Sequence, residues 1–552
     1  MKTHRLRAPS TDGGLLAAPS LDEIGPLLDD NIRRLASWDY DFQGRSVASI
    51  RDLARRELLT ESRRFLNSQG ITDSAAQGTE ADDPPGPFIA TGHQPELFHP
   101  GVWVKNFAAA ALANQRGGVA LNLIVDDDIP KSSSIRAPRV ANGRTTFRRI
   151  DFDRWEGEAP YEELPVHDEA LFASFGERVE RALQGLIADP LIRDYWPEVL
   201  PYRGSGLPLG LRLALGRRRL EGSWGVSNLE IPLSRMCQTE GFYWFACHLL
   251  AHLPRYLRIY NDALNEYRAL YGIRSKNHPV TALSRRGDWL EAPFWIWRAG
   301  GSRRRSLFVR QDKRTMQLRI ADEAEPFLEL PLAEDLEADR AVERLRELEA
   351  SPIRLRTRAL TTTMFLRTLF GDLFIHGIGG AKYDELGDEI TGRFMSFEPP
   401  GFLTMSMTVM LGLAEHSTSQ SALTSIDREI RSLIYNPDRH LAEPLDNGQR
   451  ELVARKAAVV AREPELPKER VERFREIRAI NDQLFPFVEG RIDELRERRQ
   501  GVAQQLAANR VARNREFSLV LHSGERLRDL MGGVRKTVAE ALKEAPAQPS
   551  KP

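Results

Sequence analysis

Phe88-Ile-Ala-Thr-Gly-His-Gln-Pro-Glu-Leu-Phe-His-Pro-Gly-Val-Trp-Val-Lys-Asn-Phe107, with the alanine-rich run Ala108 to Ala113 behind it, is the stretch on which the fold turns. It opens as a short apolar run, passes through a polar turn containing glycine, and becomes a helical pattern. Gly92 and Gly101 let the backbone turn sharply, and Pro100 suits the first positions of a helix, where its missing N–H costs nothing. The reading is strand, loop, helix. After Arg116-Gly-Gly a second apolar run, Val119 to Val125, stops abruptly at Asp126-Asp127-Asp128. The unit is therefore β-loop-α-β, with its polar groups gathered where the strands end, which is where open α/β sheets bind ligands.

Composition narrows the class around that unit. At 552 residues the chain can bury a large core and should hold two or three structural units. Lys plus Arg equals Asp plus Glu at 78 each, so no global basic field points to nucleic acid and no acidic excess points to disorder. The two cysteines, Cys237 and Cys247, form neither a disulfide framework nor a CxxC pair, which fits a reducing cytoplasm. No apolar run approaches membrane-spanning length, and Met1-Lys-Thr-His-Arg-Leu-Arg leads into no secretory apolar core. A cytoplasmic protein with a small-molecule substrate, no membrane and no nucleic-acid partner is expected.

Along the chain, residues 1–80 read as a helical region packed on the main domain, with apolar positions three and four apart in Leu21-Asp-Glu-Ile-Gly-Pro-Leu-Leu and Ile50-Arg-Asp-Leu-Ala-Arg-Arg-Glu-Leu-Leu. Ser74 to Pro87 is a linker by composition. The core is placed at 81–425, with inserted helical and hairpin segments. Within it Arg144 to Asp153 reads as a strand, Asp168 to Leu186 as an amphipathic helix, and Ile231 to Tyr271 as mostly helical. His248 and His252 share a helical face there. Without HExxH or another ligand set, core packing is the better reading. Asn261 and Asn265 also share a face, where ordinary hydrogen bonding is favoured over ligand contact. Pro293-Phe-Trp-Ile-Trp and Ser306-Leu-Phe-Val-Arg read as a hairpin whose tip carries Arg303 to Arg305. A solvated tip is the better reading of those arginines, and no chemistry is assigned to them.

Asp372-Leu-Phe-Ile-His-Gly-Ile-Gly-Gly-Ala-Lys-Tyr-Asp-Glu-Leu repeats the pattern of an apolar run entering a glycine-rich turn and a helix. Its glycines permit close backbone approach to a ligand, and the helix N-terminus that follows favours an anion. The GxxxxGK[ST] order of a Walker loop is absent. At 426–515 the chain turns charged and helical. Val471, Phe474, Ile477, Leu484, Val488 and Leu495 make a partial heptad stripe interrupted by Pro486, which suggests an antiparallel helical arm or a homodimerising coiled coil. At 516–552, Glu516-Phe-Ser-Leu-Val-Leu-His is read as returning to the core, and the tail after Lys543 as disordered.

At three points these residues resemble the bacillithiol biosynthesis cysteine-adding enzyme family, cysteine ligases with a nucleotidyltransferase-like Rossmann core and a C-terminal coiled coil. The first is Thr91-Gly92-His93-Gln94 with Leu97-Phe98 and His99-Pro100-Gly101, where the family often has Thr-Gly-Gln-Gln, Leu-Phe and Gly-Gly-Pro. The second is Asp126-Asp127-Asp128, a loose match to an Asp-His-Asp-like strand end. The third is Ile378-Gly379-Gly380 with Lys382 and Tyr383. Departures at His93, Glu96 and His99, and the lack of a histidine in the triplet, imply a changed substrate or step.

The resemblance implies an α/β protein with a Rossmann-like core, insertions and a C-terminal helical coiled-coil arm. The expected activity is a ligase joining cysteine or a related carboxylate to an amine acceptor such as an amino-sugar conjugate. Catalytic roles fall to His93, His99, Asp126, Asp127 and Asp128, and substrate or nucleotide binding to Thr91, Gly92, Gln94, Gly101, His376, Gly379, Gly380, Lys382 and Tyr383. Histidine suits proton transfer because its ordinary pKa lies near neutrality. No metal ligand set is assigned. ATP or ADP with Mg²⁺ held by one of the aspartates is the cofactor candidate, and a homodimer through the arm is the expected assembly. Nucleotidyl or adenylyl transfer is the alternative chemistry, and a nonenzymatic nucleotide-binding partner protein is the alternative of another class.

Overall fold

A computed structural model describes residues 6–73, 75, 86–141, 144–301 and 303–544. Most of the 74–87 linker and all of the tail beyond 544 lie outside the described residues. The chain divides into two units. One contains 1–137, 149–411 and 515–552, and the other 138–148 and 412–514.

The first unit is mixed α/β. Its six-stranded sheet contains β1 (Leu15–Ala18), β2 (Phe88–His93), β3 (Val119–Ile124), β4 (Leu229–Pro232), β5 (Leu373–His376) and β6 (Leu403–Met407), in the order β1-β6-β5-β2-β3-β4. β2 through β6 run parallel, and β1 is antiparallel on the β6 edge. Strands β2, β3 and β5 read as apolar runs because both faces are covered. The sequence steps outward from β2 to β3 and β4 on one side, then returns to β5 and β6 on the other. Strand order therefore reverses between β2 and β5, and at such a point the connections leave a crevice at the carboxyl ends.

The helix α1 (Pro100–Arg116) follows β2 and is buried along most of its length, packed against the sheet and against the helix Gly524–Glu544. His99 caps it, Pro100 stands at its first position and Gly117 closes it at φ +64°. Gly101 sets how closely α1 approaches β6, since a Cβ there would lie 2.3 Å from the Met407 carbonyl oxygen. Gly101→Ala is expected to destabilise the protein by about 1–3 kcal/mol through overpacking. A urea denaturation midpoint equal to that of the wild type would show that α1 can shift to accept the methyl group.

The helices expected before residue 80 form as Ile24–Ala36 and Val47–Ser68, but Leu15–Ala18 is a strand rather than part of a helical region. Four residues are too few for a period to show, and their conformation is set by pairing with β6, a tertiary contact. Arg51 and Arg55 of the second helix each reach Asp372 Oδ1 at 2.7 Å, and Asp372 Oδ2 accepts the Phe88 N–H at 2.8 Å. One carboxylate thus ties that helix to the starts of β2 and β5. The segment 168–186 forms two short helices, Glu169–Ala173 and Phe175–Leu183, broken at Ser174. His248 is 2% exposed with Nε2 at 2.8 Å from the Tyr40 hydroxyl, and His252 Nε2 meets Gln43 Oε1 at 2.8 Å. Asn261 bonds the Leu283 backbone in both directions. These are packing and tethering contacts.

A second, antiparallel sheet holds the strands Leu328–Leu330, Thr315–Ile320, Arg305–Asp312, Trp289–Arg298 and Ile353–Thr357 in that spatial order. The expected hairpin is its centre, with a register shift between Glu291 and Trp295. Such a shift re-aims the side chains that follow it.

The second unit is mostly helical, with Gln420–Tyr435 packed on Glu489–Ala512 and Asn447–Val460 on Pro467–Leu484. It takes in residues of the paired strands Ser134–Ala141 and Arg144–Asp151, the latter covering most of the strand expected at 144–153. Its apolar stripe is divided. Leu484 joins Val459 and Ile480, while Val488 and Leu495 join Ile426 and Leu433. Val471 and Phe474 remain 49% and 60% exposed. Pro486 lies in the short turn Phe485–Phe487 that separates the two helices. Among the described residues, no helix is long and apolar enough to cross a membrane.

Candidate functional site

β2, β3 and β5 are neighbours with the registers Thr91↔Asn122, His93↔Ile124 and Ile375↔Thr91. The histidine turn, the acidic triplet and the glycine turn therefore leave the sheet at the same edge, on strands about 5 Å apart. Gln94, Asp127 and Asp128 line a cavity of about 260 Å³ together with Tyr260, Trp295, Arg304 and Arg358.

Asp128 is fully engaged in this cavity. Its Oδ2 accepts from Gln94 Nε2 at 2.9 Å, and its Oδ1 from Arg304 Nη2 at 2.9 Å and from the Ile129 N–H at 2.9 Å. Asp127 differs, being 4% exposed with no side-chain hydrogen bond among the described residues and with Arg304 at 4.0 Å as its ion partner. Burial holds its carboxyl well above the usual carboxylate range. Arg304 opposes that, and Asp126, Asp128 and Glu162 add to it. Two guanidinium groups lie on the Trp295 ring, Arg304 at 5.0 Å from its centroid and Arg358 at 4.2 Å. Arg358 is balanced by Glu291 at 2.7 Å. The cavity can take a ligand carrying both an amine, toward Asp127, and an anion, toward the guanidinium groups.

Arg304, Arg358 and Trp295 are the site residues that sequence reading missed. The run Arg303 to Arg305 was expected to be a solvated tip, yet Arg304 is only 17% exposed at its side chain. Nothing in the local pattern announces the register shift that precedes Trp295.

Asp126 points the other way, as adjacent side chains leaving a strand do. Its carboxylate accepts the Ser234 N–H at 2.9 Å and the Ser234 hydroxyl at 2.5 Å. Burial, with Glu162 beside it, pushes it up to about 7. It shares a separate cavity with Glu162 and Arg356, which are paired at 2.9 and 2.8 Å. The triplet therefore does not act as one ligand set. Asp126 is held by Ser234 and Asp128 by Arg304 and Gln94, so the donor set does not fit Mg²⁺. Among the described residues no group of three or more His, Cys, Asp or Glu side chains could hold a metal ion.

The two histidines expected to be catalytic do not line the acidic cavity. His93, 27% exposed at its side chain, faces a small space bounded by Asn106, Asn122 and Arg217, and Gln94 borders both this space and the acidic cavity. Burial and the Lys105 ammonium hold its imidazole neutral. His99 is occupied as a cap, its Nδ1 accepting the Gly101 N–H at 3.1 Å, and burial with Arg515 nearby pushes it down to about 4. Thr91 Oγ1 donates to the Ile375 carbonyl at 2.9 Å and pins β2 to β5.

The helix α2 (Leu209–Ser223) carries Arg217, and α3 (Ile378–Met395) begins at the glycine turn. Gly379 and Gly380 lie exposed on the first turn of α3. Lys382 is exposed, with its carbonyl taking the Tyr267 hydroxyl at 3.0 Å, and the Tyr383 ring lies 6.2 Å from that of His278. Neither lines the acidic cavity, since the helix turns them away from its first N–H groups. His376 is 4% exposed and bonded to Asp384 at 2.7 Å.

Lys105 also escaped sequence reading, because a lysine inside a helical run passes as surface. It is 3% exposed, and its ammonium donates to the Gly92 carbonyl at 2.8 Å. Burial, with Arg217 near it, pushes it down to about 7.

No family model matches the chain, and no curated protein matches it.

Proposed function

We propose that this chain is a ligase of the bacillithiol cysteine-adding type, built on a Rossmann-like core with a coiled-coil arm. It joins cysteine or a related carboxylate to an amine acceptor such as an amino-sugar conjugate. The observation that carries the reading is Asp127, a buried carboxyl group without a hydrogen bond among the described residues, facing a cavity across from Arg304 and Arg358. The strand order β4-β3-β2-β5-β6 supports the Rossmann-like core. The exposed Val471 and Phe474 supply an apolar surface through which the arm of a homodimer would meet its copy.

In this reading Arg304 and Arg358 orient the anionic group of the substrate, and Trp295 excludes water beside it. In its ionised form Asp127 accepts the proton released as the amine nitrogen bonds the activated acyl carbon and the bond from that carbon to its phosphoryl leaving group breaks, the leaving group departing with the electron pair. Burial disfavours the charged form of Asp127 in the empty cavity, and an entering ammonium supplies the countercharge that favours the carboxylate, the form able to act as base. ATP, when bound, supplies the activation that amide formation requires.

A thermal-shift screen with cysteine, nucleotides and amino-sugar conjugates tests the proposal. A true ligand at a hundred times its Kd stabilises the native state by about 2.7 kcal/mol, so its Tm shift should grow with concentration. Arg304→Met should lose the shift produced by cysteine, read as the difference between that variant's own liganded and unliganded Tm. If neither cysteine nor any amino-sugar conjugate moves the wild-type Tm, the ligase reading fails.

A further inference from the structure

The first turn of α3 has free backbone donors. Gly377 precedes the helix and offers no side-chain cap, and the first bond back onto it is Ala381 N–H to Gly377 O at 3.0 Å. The N–H groups of Ile378, Gly379 and Gly380 donate no hydrogen bond among the described residues. A Cβ on Gly377 or Gly379 would meet no atom within 4 Å, so the space over the turn is open. α3 runs for 18 residues, long enough for its aligned peptide dipoles to gather about half a positive charge at this end.

Two buried side chains point to what the turn holds. His376 Nε2 lies 2.7 Å from Asp384 Oδ2, and Asp384 is held ionised by Arg367 and Thr363, each at 2.6 Å. The carboxylate can only accept, so Nε2 carries the ring proton and donates it in this hydrogen bond, which leaves Nδ1 as an acceptor. Nδ1 has no partner among the described residues, and a Cβ built on Gly380 would fall 2.9 Å from it, so this edge of the ring is directed at the turn. Lys105 is placed by the strand register. Its ammonium sits on the carbonyl of Gly92, the position after the Thr91↔Ile375 pair and therefore the neighbour of His376 on the adjoining strand. No carboxylate is paired with it among the described residues. Asp384, Arg367 and Lys105 are the charged groups acting on His376.

We infer that the first turn of α3, the Lys105 ammonium and Nδ1 of His376 form a binding subsite for a phosphate group. A phosphate monoanion satisfies all three. Its unprotonated oxygens accept from the N–H groups and from Lys105, and its remaining O–H donates to Nδ1. A sulfate or carboxylate ion matches the first two and has no proton for the third. The subsite deepens the ligase reading and rests on it only for which substrate or nucleotide carries the phosphate.

Isothermal titration of the full chain with inorganic phosphate, sulfate and malonate tests the assignment. Phosphate should bind, with sulfate and malonate at least about tenfold weaker. Lys105→Met and Gly380→Ala should each weaken phosphate by about tenfold or more. Gly380→Ala keeps the folded protein in hand if Lys105→Met does not fold, because it adds one methyl group at an exposed helical position and directs it at Nδ1. Equal binding of phosphate and sulfate, tighter binding of malonate, no measurable phosphate binding, or a Gly380→Ala protein that binds phosphate like the wild type would each overturn the assignment. Since binding is read without turnover, a protein that takes phosphate but no cysteine keeps this subsite and loses the ligase reading. One that takes cysteine but no phosphate does the reverse.

Discussion

Asp127→Asn is expected to yield a folded protein whose turnover is at least about a hundredfold below that of the wild type, the scale on which a positioned proton acceptor contributes. Asparagine keeps the shape of a carboxyl group that has no side-chain hydrogen bond among the described residues, and removes its capacity to take a proton together with the charge opposite Arg304, so a loss of rate with ligand binding retained isolates that capacity. The same substitution has a stability signature of opposite sign. Burial raises the folded-state pKa of Asp127 well above its unfolded value, so with rising pH the unfolded chain releases its proton before the folded chain does. Stability therefore falls as pH rises above the unfolded aspartate pKa of about 3.9. In Asp127→Asn that contribution vanishes, and the variant should match the wild type near pH 4 and exceed it increasingly toward pH 8. Asp126, pushed up to about 7, keeps part of the slope in both proteins. Urea denaturation at pH 4, 6 and 8 reads the difference. Parallel stability curves together with undiminished turnover would remove Asp127 from the proposed chemistry.

Much of the edge at which this residue sits could be read in the chain. Val119 to Val125 ending at the aspartates, and Leu373 to His376 ending at glycine, announce strands that stop in polar turns, because apolar runs and glycine are local signals. Which strands lie side by side was not local. Nothing near Leu373 says that β5 pairs with β2, and nothing near Leu15 says that β1 closes the edge at β6. The site divided along the same line. Asp127 and Gln94 were in hand, but three consecutive aspartates look equivalent in a sequence and only their directions separate Asp126 at Ser234 from Asp127 at the cavity. His99 looked like chemistry and serves as a cap. Arg304 looked like solvent decoration, although the register of its hairpin carries it onto Trp295 and Asp128. Lys105 was hidden for a related reason, since helical periodicity cannot distinguish a lysine that snorkels from one driven beneath a strand end.

Arg217→Met is expected to destabilise the protein by about 3–5 kcal/mol, the range for removing one partner of a buried ion pair. Arg217 bridges Glu221 Oε1 at 2.8 Å and Glu230 Oε2 at 2.9 Å, and both glutamates are 0% exposed. The network also holds the layers together. Trp103 and Asn106 of α1 donate to Glu221 at 2.6 and 2.8 Å, and Asn122 of β3 donates to Glu230 at 2.8 Å. Without the guanidinium two carboxylates would face each other in the dry interior, and burial already raises Glu230 with Arg217 in place. Folding of the variant would force at least one of them to keep a proton that the unfolded chain loses above the glutamate pKa of about 4.3, so the deficit should be larger at pH 8 than at pH 5. Adding Glu230→Gln should recover part of the loss at pH 8 by removing the charge left unpaired. Against a typical total of about 5–15 kcal/mol, the shift in the urea midpoint of the single variant would be large. A change under about 1 kcal/mol would show that the network contributes little to stability. Arg217 also presses on Lys105, whose ammonium it helps to push down to about 7, so folded Arg217→Met protein should hold that proton more firmly, with the Lys105 Nζ titration observed by NMR moving to higher pH.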